Sequence, residues 1–167
     1  MIETKEENKG TAILSECGKY RYVLTRSLNS VLRWHKPMLF IMLNPSTADA
    51  SVDDPTIRRC IAFAKRAGAT QLTVVNLFAL RSPDPESLAK SSDPIGPEND
   101  RHIAEQIGKH KGLPIIAAWG AHKFAKDRAT QIVGMYNDLF CLGKTKNGEP
   151  RHPLYVKGDQ EFIKLTE

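Results

Sequence analysis

Four runs of near-continuous apolar character punctuate this chain: Met38 to Leu43, Leu72 to Leu77, Leu113 to Trp119 and Leu139 to Leu142. Runs of that length without polar alternation predict strands buried on both faces, as in a parallel sheet. The stretches between them carry helical signals. Pro55 suits a first helical turn, and Ile57, Cys60, Ile61 and Ala64 repeat at helical spacing up to a stop at Gly68. The loop Arg81-Ser82-Pro83-Asp84-Pro85 leads into a short helix. Pro97 opens another helix running to about His110, and a further one spans about His122 to Tyr136.

Upstream, two β-prone runs, Thr11 to Leu14 and Tyr20 to Leu24, flank Glu16-Cys17-Gly18-Lys19 and predict a hairpin. The expected fold class is α/β: a three-layer α/β/α arrangement around a short parallel sheet of about four strands, plus the N-terminal β-hairpin. Residues 1–10 read as a flexible polar tail and residues 11–167 as one domain. Right-handed crossovers bring the carboxyl ends of all four strands to one rim.

Composition narrows the setting. The 167 residues are 41% hydrophobic and 26% charged, ordinary for a soluble globular protein. No apolar run approaches the roughly 20 residues of a membrane span, so no membrane partner is expected. Cys17, Cys60 and Cys141 make neither a metal spacing nor an even disulfide set, which indicates a reduced, cytoplasmic setting. The net charge of +5 is mild. Basic residues gather early (Lys19, Arg21, Arg26, Arg33, Lys36) and late (Lys144, Lys146, Arg151, Lys157), as a nucleic-acid surface or as solvated faces.

The candidate chemistry sits where the strands stop. Phe40-Ile41-Met42-Leu43 ends abruptly at Asn44-Pro45-Ser46-Thr47, and the carboxyl end of a buried strand is where open α/β sheets bind ligands. Asn44 either caps the strand as an Asx-type turn or holds a water or a polar substrate group. Ser46 and Thr47 serve backbone donors or a phosphate. Asp54 is placed to cap the Pro55 helix, with Asp53 beside it. Arg58 and Arg59 oppose the helix dipole, which favours pairing with those aspartates or contact with phosphate. Asn76 interrupts an apolar run, so its amide must be met by a base edge or by a loop carbonyl. Trp119-Gly120-Ala121-His122 closes the third strand, and His152, between Arg151 and Pro153, follows the fourth. No phosphate-binding glycine-rich loop and no metal-ligand spacing occurs, so neither a metal nor a cofactor is expected.

Several of these segments together resemble a known family. Met42-Leu43-Asn44-Pro45-Ser46-Thr47-Ala48-Asp49, Asp54-Pro55-Thr56-Ile57-Arg58-Arg59-Cys60, Asn76-Leu77-Phe78-Ala79-Leu80, Ala118-Trp119-Gly120 and His152-Pro153-Leu154-Tyr155 are similar to a bacterial and phage family catalogued as domain of unknown function 1643. More distantly, the motif order resembles the uracil-DNA glycosylase superfamily. There, a motif after the first core strand positions the hydrolytic water, and Met42-Leu43-Asn44-Pro45-Ser46 is similar to its Gly-hydrophobic-Asn-Pro-Gly form. A later His-Pro-Ser motif presents a histidine to the base, and His152-Pro153-Leu154 is similar. An asparagine ending a middle strand reads the base, as Asn76 would.

That resemblance implies a DNA base glycosylase-like hydrolase of uracil-DNA-glycosylase-like fold, acting as a monomer on DNA. Asn44 and His152 would carry catalysis. Asn76, Phe63, Pro45, Ser46, Asp53 and Trp119 would hold the flipped base, with Phe63 stacking on it. Arg58, Lys144, Lys146, Arg151, Leu154 and Tyr155 would contact the nucleic acid. The departures have consequences. Met42 (or Leu43) and Ser46 replace the motif glycines, Leu154 replaces the serine, and the four cysteines of the iron–sulfur branches are absent, so a modified base is expected rather than uracil. Two rivals stand beside this reading: a nucleic-acid- or nucleotide-binding protein without catalysis, and an enzyme acting on free nucleotides.

Overall fold

Strand parity divides the apolar residues between two faces. In the strand Pro37–Met42 (β4), Met38, Phe40 and Met42 join a core with Ile57, Cys60, Phe63 and Ala64, while Leu39 and Ile41 join a second core with Ile103, Ile107 and Ile132. The helix Pro55–Arg66 (α1) therefore covers one face. The helices Asn99–Lys109 (α2) and Ala125–Met135 (α3) cover the other. The three layers expected from the pattern are present. The computed structural model describes residues 2–6, 10–28 and 33–166, the first of these stretches by its backbone.

The remaining strands are Ile2–Glu6 (β1), Gly10–Leu14 (β2), Arg21–Ser27 (β3), Gln71–Asn76 (β5), Ile115–Ala117 (β6), Phe140–Cys141 (β7) and Ile163–Lys164 (β8). They form one sheet in the order β1-β2-β3-β5-β4-β6-β7-β8. Its centre, β5-β4-β6-β7, is parallel, as expected of the four apolar runs. The sheet as a whole is mixed, which the pattern did not convey. The hairpin β2–β3 extends it through the antiparallel pair β3–β5, and β8 closes the far edge antiparallel to β7.

At the start of the chain, where a frayed tail was expected, Ile2–Glu6 pair with β2 in register, Ile2 opposite Leu14. Met1 and residues 7–9 of that expected tail lie outside the described residues. β6 is shorter than its apolar run. Pro114 brings no ladder donor on one side, and Gly120 turns the chain at φ +78° on the other. Among the described residues no helix is long and apolar enough to cross a membrane.

Candidate functional site

The parallel order β5-β4-β6-β7 fixes where a ligand can enter. The crossover after β4 runs to one side and the crossover after β5 returns to the other, so a crevice opens between the carboxyl ends of β4 and β6. A cavity of about 670 Å³ occupies that end, within the size range of small-molecule sites. Asn44 follows β4, Asn76 ends β5, Trp119 follows β6 and His152 follows β7, and all four line the cavity.

Asn76 is the least satisfied group in it. The residue is 1% exposed, and neither its amide nitrogen nor its amide oxygen has a hydrogen-bond partner. Its backbone, by contrast, is held firmly. Asn99 Nδ2 donates to the carbonyls of Asn76 (3.0 Å) and Leu77 (3.2 Å), and Arg128 Nε donates to Leu77 (2.9 Å). The α2–α3 layer thus anchors the end of β5. Leu72 and Val74 belong to the α1-side core, so strand parity turns the Asn76 side chain to that face. A buried donor–acceptor pair that no protein group meets costs stability unless water or a ligand completes it.

Asn44 is partly spent on its own loop. Its Nδ2 donates to the carbonyls of Pro45 (3.0 Å), Ser82 (3.0 Å) and Leu80 (3.4 Å). Those bonds hold the amide in place and leave Oδ1 as an acceptor the loop does not use, on a residue that lines the cavity. The side chain thus ties its own loop together through its nitrogen, not through the oxygen-accepting contact of an Asx-type turn.

His152 caps the 3-10 turn Pro153–Tyr155, with its Nδ1 accepting from the Leu154 amide at 3.1 Å. An Nδ1 that accepts puts the proton of the neutral ring on Nε2, making Nε2–H a donor. Burial holds the imidazole below its ordinary pKa, against the pull of the Asp54 carboxylate. The turn is seated from beneath, since Arg59 Nε donates to the Pro153 carbonyl at 3.1 Å and Arg59 Nη2 to that of Val156. Gly120 completes the fit. A Cβ there would stand 3.4 Å from the His152 Cβ, at a φ that other residues rarely adopt.

At the mouth stand Leu154 and Tyr155, 43% and 78% exposed, with Arg151 beside them. Ser46 and Thr47 line the same opening. Lys144 and Lys146 do not line it. Lys144 pairs through its backbone with Pro150, and Lys146 rides exposed on the turn between them. His122 sits at the rim with Nε2 3.3 Å from Glu86, rather than simply facing solvent.

Four further residues expected at the site are elsewhere. Phe63 lies in the α1-side core at 1% exposure, against Phe162 and under the Arg59 and Arg66 guanidinium groups. Its spacing of three from Cys60 and six from Ile57 puts it on the buried stripe of α1, so it has no ring face to offer a base. Asp53 pairs with buried Arg26 at 2.7 Å. Arg58 is exposed and donates to the Asp53 carbonyl at 2.7 Å, and Pro45 is a loop carbonyl for Asn44 and the Ser82 amide. Asp54 caps α1 as expected, with Oδ1 accepting from Ile57 (2.8 Å) and Oδ2 from Ala48 (3.3 Å), yet it also lines the cavity.

One cavity residue was passed over as part of a basic cluster. Arg21, on β3, is 2% exposed and lines the cavity, and burial pushes its guanidinium pKa down to about 10. A cation inside the β-prone run Tyr20 to Leu24 was the available signal. Among the described residues no group of three or more His, Cys, Asp or Glu side chains is arranged to hold a metal ion.

No curated protein and no solved structure matches this chain. Residues 21–154, from the buried arginine to the leucine at the cavity mouth, match the family described as protein of unknown function (DUF1643). All four strand ends that build the cavity fall within that span, and the chain belongs to the DUF1643 family.

Proposed function

We propose that the cavity binds a nucleobase flipped out of DNA and that the protein hydrolyses its N-glycosidic bond. The observation that carries this reading is the Asn76 amide: one donor and one acceptor, side by side, buried and unmet. The Watson–Crick edge of a base offers that complementary pair. The motif resemblance to uracil-DNA glycosylases supports the same reading, through Asn44-Pro45-Ser46 and His152-Pro153-Leu154.

The chemistry follows from what each group can do. An amide is no general base, so Asn44 Oδ1 would accept a hydrogen bond from a water and aim it at the sugar carbon. Asp54 is the carboxylate at hand, but both its oxygens already accept backbone N–H groups. The bond to the base must therefore break largely on leaving-group stabilisation. As the electron pair passes to the base, His152 Nε2–H would donate to the developing anion, and the proton shed by the water once its oxygen bonds to the sugar carbon would end on the departed base. Leu154 or Tyr155 would enter the gap left in the stack, and Arg151 would meet a phosphate.

Duplex and single-stranded oligonucleotides bearing uracil, mismatches and 5-substituted pyrimidines, incubated with the protein and treated with alkali, test this. Strand breaks that disappear in Asn44→Ala support cleavage. A second reading, a binder without catalysis, draws on the three carbonyls that already hold the Asn44 amide nitrogen. Salt-sensitive binding with no breaks on any substrate would favour it.

A further inference from the structure

Among the described residues three arginines are buried, and they are not treated alike. A guanidinium keeps its charge and brings five N–H donors, so its burial has to be matched by acceptors and a counter-charge. Arg26 is matched. Its Nε pairs with Asp53 at 2.7 Å, Nη1 donates to the Thr25 carbonyl, and Nη2 donates to the carbonyls of Asp49 and Val52. Arg128 is matched too, by the Leu77 carbonyl, Gln131 and the Asp100 carboxylate.

Arg21 is the exception. Its Nη1 donates to the Ala48 carbonyl at 2.6 Å, and its Nε has no partner. Among the described residues no carboxylate forms an ion pair with it. Asp54 attracts it from farther off, but the Ala48 and Ile57 amides occupy that carboxylate. This under-matched cation is also the buried arginine that lines the cavity.

We propose that Arg21 is the oxyanion-binding residue of the cavity, and that the ligand carries a carboxylate or phosphate group there while Asn76 reads the adjoining polar edge. The inference deepens the base-binding reading and rests on the same cavity, but not on cleavage. A guanidinium fork matches an oxyanion with two parallel donors, and such charge-assisted pairs are strongest away from water. The volume of about 670 Å³ leaves room for a substituent beyond a single pyrimidine ring.

Calorimetric titration of the full chain with uracil, 5-hydroxymethyluracil, 5-carboxyuracil, uridine, uridine 5′-monophosphate and inorganic phosphate tests this directly. An acidic probe is expected to bind at least about tenfold more tightly than its neutral counterpart, and Arg21→Gln to bring the two within roughly twofold. Preference for 5-carboxyuracil would put the oxyanion on the base, and preference for the monophosphate or inorganic phosphate would put it on the nucleotide. Equal binding of acidic and neutral probes, no binding of any, or a preference that survives Arg21→Gln would overturn the proposal.

A folding control separates a ligand role from a structural one. Arg21→Met should keep or raise the melting temperature, because it removes an unmatched buried charge, while Arg26→Met should lower it by many degrees. Equal losses in the two variants would mark Arg21 as structural and overturn the assignment. Charge-dependent binding without any strand cleavage would leave this inference standing and remove the glycosylase reading alone.

Discussion

At the scale of single residues, the site is a set of side chains whose hydrogen-bonding capacity the fold does not use up. Asn76 has an unmatched amide, so replacing it by an apolar side chain of similar size removes a liability. Asn76→Leu is expected to leave the melting temperature unchanged or raise it by a few degrees, and to weaken base binding by at least about 10²-fold. Thermal denaturation beside calorimetry checks both, and a large loss of stability would show the amide to be structural. Asp54 makes the opposite case. Its carboxylate caps α1 and holds the Ala48 amide, so Asp54→Ala should cost about 1–2 kcal/mol in denaturant unfolding, with Asp54→Asn costing less. Asn44 was legible because it is a polar residue where an apolar run stops, Asn76 because it interrupts one, and His152 because it sits beside a proline in the loop that follows the last run. For Arg21 and Phe63 the strand or helix face decides what the side chain meets, and neither membership of a basic cluster nor distance from a motif conveys that face.

At the scale of elements, the site depends on how the segment after β7 is pressed against α1 and β6. Arg59 reaches from α1 to the carbonyls of Pro153 and Val156, and Arg66 reaches those of Gly158 and Gln160. The sequence offered Arg59 as a partner for aspartate or phosphate and gave Arg66 no partner, because carbonyls more than ninety residues away are invisible to local spacing. Arg59→Met should therefore leave the sheet intact and loosen the histidine-bearing turn. The expected result is faster hydrogen exchange at Leu154 and Tyr155 with protection of β4 and β5 unchanged. Gly120→Ala strains a positive φ and brings a Cβ into contact with that of His152, so it should reduce cleavage or binding together with a stability loss of about 1–2 kcal/mol. A variant as active and as stable as the parent would show that β6 and the histidine turn are not fitted to one another.

At the scale of the whole molecule, the four parallel strands were readable from apolar runs, and their shared rim followed from crossover handedness. The mixed edges were not readable, because antiparallel addition at β3 and β8 depends on pairings between distant segments of ordinary composition. Acid stability is also a global property. Burial holds His102, His110 and His152 below the ordinary histidine pKa. The unfolded chain then binds more protons than the folded one just below pH 6.5, so stability should fall as pH drops from about 7 toward 5.5. That window lies above the one in which the depressed carboxyls of Asp49 and Glu105 contribute. Urea unfolding across that range checks it, and a rise in stability on acidification would contradict it.

The central claim, that the buried Asn76 amide meets a nucleobase, is open to one direct observation. Uniformly 15N-labelled protein, with the Asn76 side-chain resonances assigned by their loss in Asn76→Leu, can be titrated with uracil and 5-substituted uracils while both amide protons are followed. The account predicts that this pair shifts and becomes protected from exchange on binding, while the amides of α2 facing solvent stay in place. An Asn76 pair that stays unmoved by every base, even as other cavity signals shift, would contradict it.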